Sequence, residues 1–346
     1  MKTLDLPADL FQPHALQPCW DNLLAGLSAD ALRVALELGL FSYLQDLTSA
    51  EALAERLSLN PAVTAYLLEL LWSAELLERQ SAPDTRYRNR PLASRYLASA
   101  SADYCGDTLL FRHQRLRQIG TQLGDWIKGQ SAVSPDTSKQ PEGWAKAARL
   151  QIRQEQRAVT APVAGEICAH LPEFAKARRL LDLGGGPGLI AIRLAQMQPA
   201  LSGVVFDYPE TATVAREQIS EAGLSERLQA LGGDLERDDF GAGYDLIWCS
   251  SVLHFAFDIP ALLTRLYQAL NPGGVLIACH AELAPEAEQA KRTLHYYLAL
   301  RLQGRAVWPQ GQLAEALKQA GFTQIQQHDG IRSTLAPLSL ALAYKK

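Results

Sequence analysis

Apolar positions recur along this chain at two different periods. Up to about residue 170 they return every three or four residues, the spacing of helices with one buried face. From Arg179 onward, short continuous apolar runs alternate with helical stretches, as in parallel strands covered on both faces and joined by helices. Residues 1 to about 18 show no clear period and read as an arm that packs on a partner. Ser28 is placed to cap a helix carrying Leu32, Ala35 and Leu36 and closed by Gly39. Thr48-Ser49-Ala50-Glu51 has capping-box spacing for a second helix, with Leu53 and Leu57 inward. Asn60-Pro61 supplies the cap and first-turn proline of a third, whose inner face reads as Val63, Leu67, Leu70 and Leu71. Residues 76–79 and 87–88 flank a polar turn and read as a hairpin.

Three helices and a hairpin are winged-helix order, which raises DNA binding. The helix in the recognition position, 61–74, holds no Lys or Arg, whereas a groove reader needs basic residues for phosphates and bases. Its outer surface, read as Tyr66, Leu68 and Trp72, suits another subunit better. Residues 101–130 read as one or two further helices, with Arg112, Arg115 and Arg117 a solvated basic cluster. The segment 129–143 is a polar loop, and a long helix over 144–170 links the halves. Strands follow at 180–183, 203–206, 228–231, 244–249 and 275–279, the last entered through an Asn271-Pro272-Gly273-Gly274 turn. Helices over 209–222, 259–270, 286–302 and 311–320 intervene. Late strands near 323–327 and 339–343 complete a sheet. The expected division is 1–165 and 166–346.

The chemistry centres on Leu180-Leu181-Asp182-Leu183-Gly184-Gly185-Gly186-Pro187-Gly188, a buried strand, a glycine turn and a helix start. Glycines there let backbone approach a ligand where a Cβ would clash. Gly186-x-Gly188-x-x-Ala191 formally satisfies the dinucleotide fingerprint, so an NAD site is one reading. Asp182 argues for another, because an acid before the turn repels pyrophosphate and attracts a cation. S-adenosylmethionine (SAM) carries a sulfonium and an ammonium and no phosphate, and is the preferred cofactor.

Composition adds limits. The chain has 346 residues, 48% hydrophobic content and a formal net charge of −4, with mean hydropathy −0.07. That leaves no general attraction to nucleic acid or anionic lipid. No apolar run approaches the roughly 20 residues of a membrane span, and the N-terminus lacks signal-peptide pattern. Five dispersed cysteines without a C-x-x-C pair read as reduced cytoplasmic thiols.

The ordered motifs resemble the class I SAM-dependent methyltransferases. More closely, they are similar to the two-domain small-molecule O-methyltransferases of the caffeic-acid and hydroxyneurosporene type. The resemblance implies a Rossmann-like α/β domain with a seven-stranded mixed sheet, preceded by a winged-helix-like dimerisation domain, and hence a homodimer. It also implies cofactor contacts from Asp182, Gly184, Gly186 and Gly188, ribose hydrogen bonds to Asp207, and adenine contacts from Asp234 and Leu235. Ser250 stands where plant members often carry a cofactor-touching lysine. His254 falls on the family's catalytic base. The two glutamates that flank that base fall here on His280 and Val307, and the Asp-Trp that often follows it is Phe255-Ala256.

A second histidine gives no anionic support, and if protonated would lower the basicity of its neighbour. Three readings follow: an already acidic acceptor such as an enol or hydroxyquinone, C-methylation at an activated carbon, or a metal held by His254, His280 and His295. No carboxylate ligand follows His254, so no metal is assigned. Trp126, Phe255, Phe257, Tyr296, Tyr297 and Trp308 are the candidate pocket wall and favour a flat aromatic or lipophilic acceptor. The expected activity is SAM-dependent methylation of a small aromatic natural-product intermediate, with oxygen as the preferred acceptor atom; the alternatives are C-methylation of an enol or α-keto acid, with or without a metal, and a SAM-fold protein whose activity is no longer methylation.

Overall fold

The computed structural model describes residues 7–130 and 141–346. The expected arm and the expected loop at 129–143 fall partly on 1–6 and 131–140, outside the described residues. The chain divides into two compact units, Met1–His113 and Gln114–Lys346.

In the first unit α1 (Gln17–Glu37) is followed by β1 (Thr48–Ser49), α2 (Ala50–Leu57) and α3 (Pro61–Ser73). Then come β2 (Leu77–Gln80), β3 (Arg86–Asn89) and α4 (Pro91–Tyr96). The strands form a small antiparallel sheet in the order β1-β3-β2. Asn60 caps α3 through its Oδ1, which accepts from Val63 N at 3.1 Å. Three local readings change. Ser28 caps nothing: it lies inside α1, with its hydroxyl on the Leu24 carbonyl, because the helix starts eleven residues earlier. Ser49 rather than Thr48 caps α2, accepting from Ala52 N. On α3 the buried stripe is Thr64, Leu68 and Leu71, while Val63 and Leu70 are exposed. A polar Thr64 at the first position of that i, i+4, i+7 stripe disguised it, and Leu68, read as outward, is wholly enclosed.

The division falls within α5 (Gly106–Ile127). Beyond it, α6 (Pro141–Arg149), α7 (Gln151–Glu155), a π-helical turn at Gln156–Thr160 and α8 (Ala161–Ala169) replace the single long helix expected over 144–170. Leu150 leaves helical geometry at φ −125° and ψ −77°. Pro162 then has no N–H for the carbonyl four residues back, which favours a wider turn there. The chain divides at 113/114 rather than at 165/166, with residues 141–149 packed on the segment 209–221 and residues 161–169 on the segment 189–197 of the second unit.

The rest alternates as expected. After α9 (Pro172–Lys176) come β4 (Arg179–Leu183), α10 (Leu189–Met197), β5 (Ser202–Asp207), α11 (Pro209–Glu221), β6 (Leu228–Gly232), β7 (Tyr244–Ser250) and α12 (Ile259–Ala269). Next are β8 (Leu270–His280), α13 (Ala287–Tyr296), α14 (Leu298–Leu302), α15 (Gln312–Gln319), β9 (Thr323–Ile331) and β10 (Leu338–Tyr344). The seven strands stand in the order β6-β5-β4-β7-β8-β10-β9. The first five are parallel, and β10 runs antiparallel to both neighbours. Alternate residues of each central strand enter opposite cores: Leu180, Val205, Trp248 and Ile277 on one face, Leu181, Ile247, Cys249 and Leu276 on the other. The turn expected at 271–274 is carried inside β8, with a register shift opposite Tyr244–Leu246. Among the described residues no helix is long and apolar enough to cross a membrane. All five cysteines are free thiols.

The rotated face of α3 is testable. Leu68→Ala should lose about 2–5 kcal/mol of stability, as enclosed leucines do when truncated. A shift in denaturation midpoint within about 0.5 kcal/mol, the range of a surface change, would return Leu68 to the outside.

Candidate active site

Five parallel strands end side by side, and the expected cofactor and catalytic residues hang on those ends. The glycine turn follows β4, Asp207 ends β5, Asp234 follows β6, Ser250 ends β7 with His254 just after it, and His280 ends β8. The strand order reverses between β4 and β7, the crevice where open α/β sheets take ligands.

Gly184, Gly186 and Gly188 all have positive φ, at 64°, 59° and 78°. A Cβ on Gly184 would stand 2.4 Å from Val252 Cγ2, so only glycine lets this turn abut the segment that carries His254. Every amide of the turn named here is already satisfied within the chain. Gly184 N and Gly185 N donate to Phe206 O, Gly186 N to Asp207 Oδ2 at 2.9 Å, and Gly188 N to Gly185 O. Leu189 N donates to Gln156 Oε1 at 3.1 Å, and Ala191 N to Asp182 Oδ2 at 3.3 Å. Pro187 has no N–H. A pyrophosphate binds at such a turn through free amides, and here they are spent on carboxylates, carbonyls and an amide side chain. The donor set disfavours a dinucleotide and fits a phosphate-free, positively charged nucleoside.

Gln156 was missed by sequence reasoning. Projecting from the π-helical turn, it donates from Nε2 to Gly185 O at 3.0 Å while its Oε1 takes Leu189 N, so one buried amide pins both sides of the turn. Its only sequence signal was a glutamine on the inner side of a helix.

Asp182 does not rim the site. It is 1% exposed and sits beneath the turn, where burial pushes its carboxyl up to about 7. Asp207 is half-buried, and each carboxylate oxygen accepts one amide, from Gly186 and from Tyr208. Burial raises it to about 6, against the lowering effect of those amides. Asp234 and Leu235 are half-buried. Asp234 Oδ1 accepts from Glu236 N, and the Leu235 carbonyl is gripped by Arg265. Ser250 Oγ accepts from Trp248 Nε1 at 3.0 Å.

His254 is buried in a single turn, Leu253–Phe255, directly after β7. Its ring lies 4.2 Å from that of Phe255 and 5.4 Å, edge-on, from Tyr297. Tyr296 stacks edge-on against Tyr297, and Trp144 against Phe255 at 5.0 Å. Trp144 was not expected here; sequence reading took it for the start of a helix. Of the other expected wall residues, Trp126 and Trp308 are half-buried and neither ring stacks on another among the described residues. Phe257 is 83% exposed, with the Arg305 guanidinium 4.0 Å from its ring centre.

His280 is buried, with Nε2 at 3.6 Å from Cys249 Sγ and Nδ1 without a hydrogen-bond partner. Burial drives it down to about 3, so it stays neutral near pH 7 and does not act as the protonated neighbour considered above. His295 lies elsewhere, exposed on α13 with Nδ1 on the Lys291 carbonyl. Among the described residues no group of three or more His, Cys, Asp or Glu is placed to hold a metal. Val307 is half-buried and packs on the core. Two residues after His280, buried Glu282 accepts from Gly311 N, Leu313 N and Gln327 Nε2, anchoring the start of α15.

Asp182 gives a pH signature. Folding raises its affinity for a proton, so stability without cofactor is greatest at low pH. It falls as pH climbs from the ordinary carboxylate range near 4 through about 7. Asp182→Asn should flatten that decline in thermal-unfolding midpoints between pH 5 and 8; an unchanged slope would assign it to other groups.

Comparison with known proteins agrees with this geometry. A family model described as the O-methyltransferase domain matches residues 145–323, and one described as the O-methyltransferase dimerisation domain matches 20–99. The chain is 32% identical over 267 residues to the N,N-dimethyltransferase OxyT of Streptomyces rimosus, covering 72% of this chain and 73% of that protein. It is 29% identical over 267 residues to the 3-hydroxy-5-methyl-1-naphthoate 3-O-methyltransferase of Streptomyces sahachiroi, covering 74% of each. The structure of human N-acetylserotonin methyltransferase in complex with SAM superimposes with a TM-score of 0.77 at 22% identity, covering 98% of this chain and 99% of that one. The chain therefore belongs to the two-domain O-methyltransferase family and is a SAM-dependent methyltransferase.

Proposed function

We propose that the chain methylates a hydroxyl of a small aromatic acceptor, with His254 as the base. The observation that carries this reading is the ring cluster of Trp144, Phe255, His254, Tyr297 and Tyr296 at the end of β7, one strand from the glycine turn. Stacked aromatic edges favour a flat ring, and the imidazole among them is the group suited to take a hydroxyl proton. The Streptomyces sahachiroi relative, named for O-methylation of a naphthoate, supports the acceptor class.

When bound, SAM supplies a methyl group made electrophilic by its sulfonium. Asp207 is placed for the ribose hydroxyls, since each of its oxygens accepts one amide and keeps a lone pair. Asp234 and Leu235 would hold the adenine, the first as an acceptor for its amine and the second against its face. Gly184, Gly186, Gly188 and Ser250 would border the methionine side, and Asp182 braces the turn from below. An imidazole nitrogen of His254 takes the acceptor proton. His280, at the end of the neighbouring strand, is a neutral ring and itself supplies no anion there. An acceptor whose hydroxyl is already acidic, such as a hydroxyquinone or an electron-poor phenol, suits that position best.

His254→Ala should lower turnover by roughly 10²–10⁴ while leaving the SAM dissociation constant nearly unchanged. Asp207→Ala should do the reverse, weakening SAM at least tenfold through lost charge-assisted hydrogen bonds of roughly 1.5–3 kcal/mol each. Calorimetry and a methyl-transfer assay on both variants separate the roles, and full activity in His254→Ala would remove the base.

The first unit supports a homodimer. Trp20, Leu23, Leu24 and Leu27 on α1, with Val63 and Tyr66 on α3, are large apolar side chains left exposed. A surface of that kind marks an association site. Light scattering at micromolar concentration should give about twice the 37.9 kDa of one chain; a monomer would refute the assembly.

A further inference from the structure

We infer that Gln156 is a positioning residue for the cofactor: its amide holds the glycine turn, ahead of binding, in the shape that receives the methionine end of SAM. The inference deepens the placement of that end at the turn, proposed above, and rests on it.

The turn needs a hold from outside itself. Gly184, Gly186 and Gly188 all take positive φ, which costs glycine nothing sterically, but glycine also has the most other conformations to escape into. Helix α10 starts directly behind the turn, and its N-cap is Gly188, which has no side chain to accept from the first amides of the helix. Those amides lack an intrahelical partner. Gln156 supplies one from 33 residues away, its Oε1 accepting from Leu189 N at 3.1 Å. Its Nε2 donates at 3.0 Å to Gly185 O, a carbonyl that also accepts from Gly188 N. A single amide group thus ties the middle of the turn to the start of the helix that follows. The task needs a donor and an acceptor side by side at this reach. An apolar residue would leave both backbone groups without that partner, and asparagine is one carbon shorter.

The glutamine is itself held in place. It is buried, and it opens the π-helical turn Gln156–Thr160, a kind of irregularity that recurs at functional sites. Upstream, α6 is fastened to α11 by the pair Arg149–Glu217, with Nη2 to Oε1 at 2.9 Å; downstream, α8 packs on α10. A Cβ built on Gly186 would stand 3.4 Å from Ile152 Cγ2 and 3.5 Å from Gln156 Nε2, whereas one on Gly184 would meet Val252. The turn is therefore clasped between two jaws. Val252, which leads to His254, is a steric stop; Gln156 is the jaw that is hydrogen-bonded. Without it the turn is free to drift from Val252, and ligand binding has to bear the cost of ordering it.

The test uses S-adenosylhomocysteine as its probe and needs no acceptor. Gln156→Met keeps the length of the side chain and loses both hydrogen bonds. By calorimetry its affinity should fall by roughly tenfold, the worth of one or two neutral hydrogen bonds. Hydrogen exchange, read by mass spectrometry over residues 183–191, should be faster in Gln156→Met than in the unaltered protein when no ligand is present. At saturating S-adenosylhomocysteine it should return to the unaltered rate. That recovery marks positioning, because a merely structural glutamine would leave the segment exchanging fast in both states. Unchanged affinity, or fast exchange that the ligand does not slow, would overturn the inference. One measurement depends on no variant: in the unaltered, ligand-free protein residues 183–191 should already exchange slowly, and exchange as fast as an open loop would overturn it as well. Failure of the wider placement shows separately, as S-adenosylhomocysteine affinity left unchanged by Asp207→Ala, and would take the inference with it.

Discussion

The site depends on a steric constraint: the turn after β4 can approach Val252 only because residue 184 has no Cβ. A methyl there would meet Val252 Cγ2 at 2.4 Å, and one on Gly185 would meet Val205 Cγ1 at 2.7 Å and Asp182 Cγ at 2.8 Å. These contacts press the cofactor turn against the segment that leads into His254, so the two halves of the chemistry share one packed junction. Positioning of this kind is what an in-line displacement needs, since the acceptor must stand behind the methyl before anything else matters. Gln156 adds the polar complement, fixing both sides of the turn with one amide.

The same junction decides which cofactor fits. Amides that would cradle a phosphate are directed inward, onto Asp182, Asp207, Phe206 and Gln156. The Asp182 and Asp207 carboxyls, raised by burial to about 7 and about 6, hold their protons more readily than free ones. A cation close by favours the ionised form, so the turn is electrostatically matched to a cationic ligand before any direct contact is counted. Glycine spacing alone leaves NAD and SAM as alternatives; the direction of the amides separates them.

Most of the second unit is legible from the sequence because its strands are buried on both faces. Continuous apolar runs such as 244–249 can hardly sit elsewhere, and their carboxyl ends then align Asp207, Asp234, His254 and His280. What sequence reasoning missed depends on contacts between distant segments. Trp144 meets Phe255 across more than 100 residues, Gln156 meets the glycine turn across about 30, and Glu282 caps α15 from a similar distance. Local patterns failed where one polar residue broke the apolar stripe, as Thr64 does on α3, or where turn-forming residues were absorbed into a longer strand, as at 271–274. The acidity of Asp182 was visible in its type, but its place beneath the turn follows from the fold.

His280 shows how a single replacement redistributes the work of a site. A carboxylate beside the base would stabilise an imidazolium and serve weakly acidic hydroxyls, at the cost of repelling any anion brought nearby. A buried neutral imidazole removes both effects together. With its thiol contact to Cys249 and its unpartnered Nδ1, His280 contributes shape and a single hydrogen-bonding atom. If His254 is the base, as proposed, position 280 neither stabilises an imidazolium nor repels an anion, and the residue there acts on the reaction through shape rather than charge.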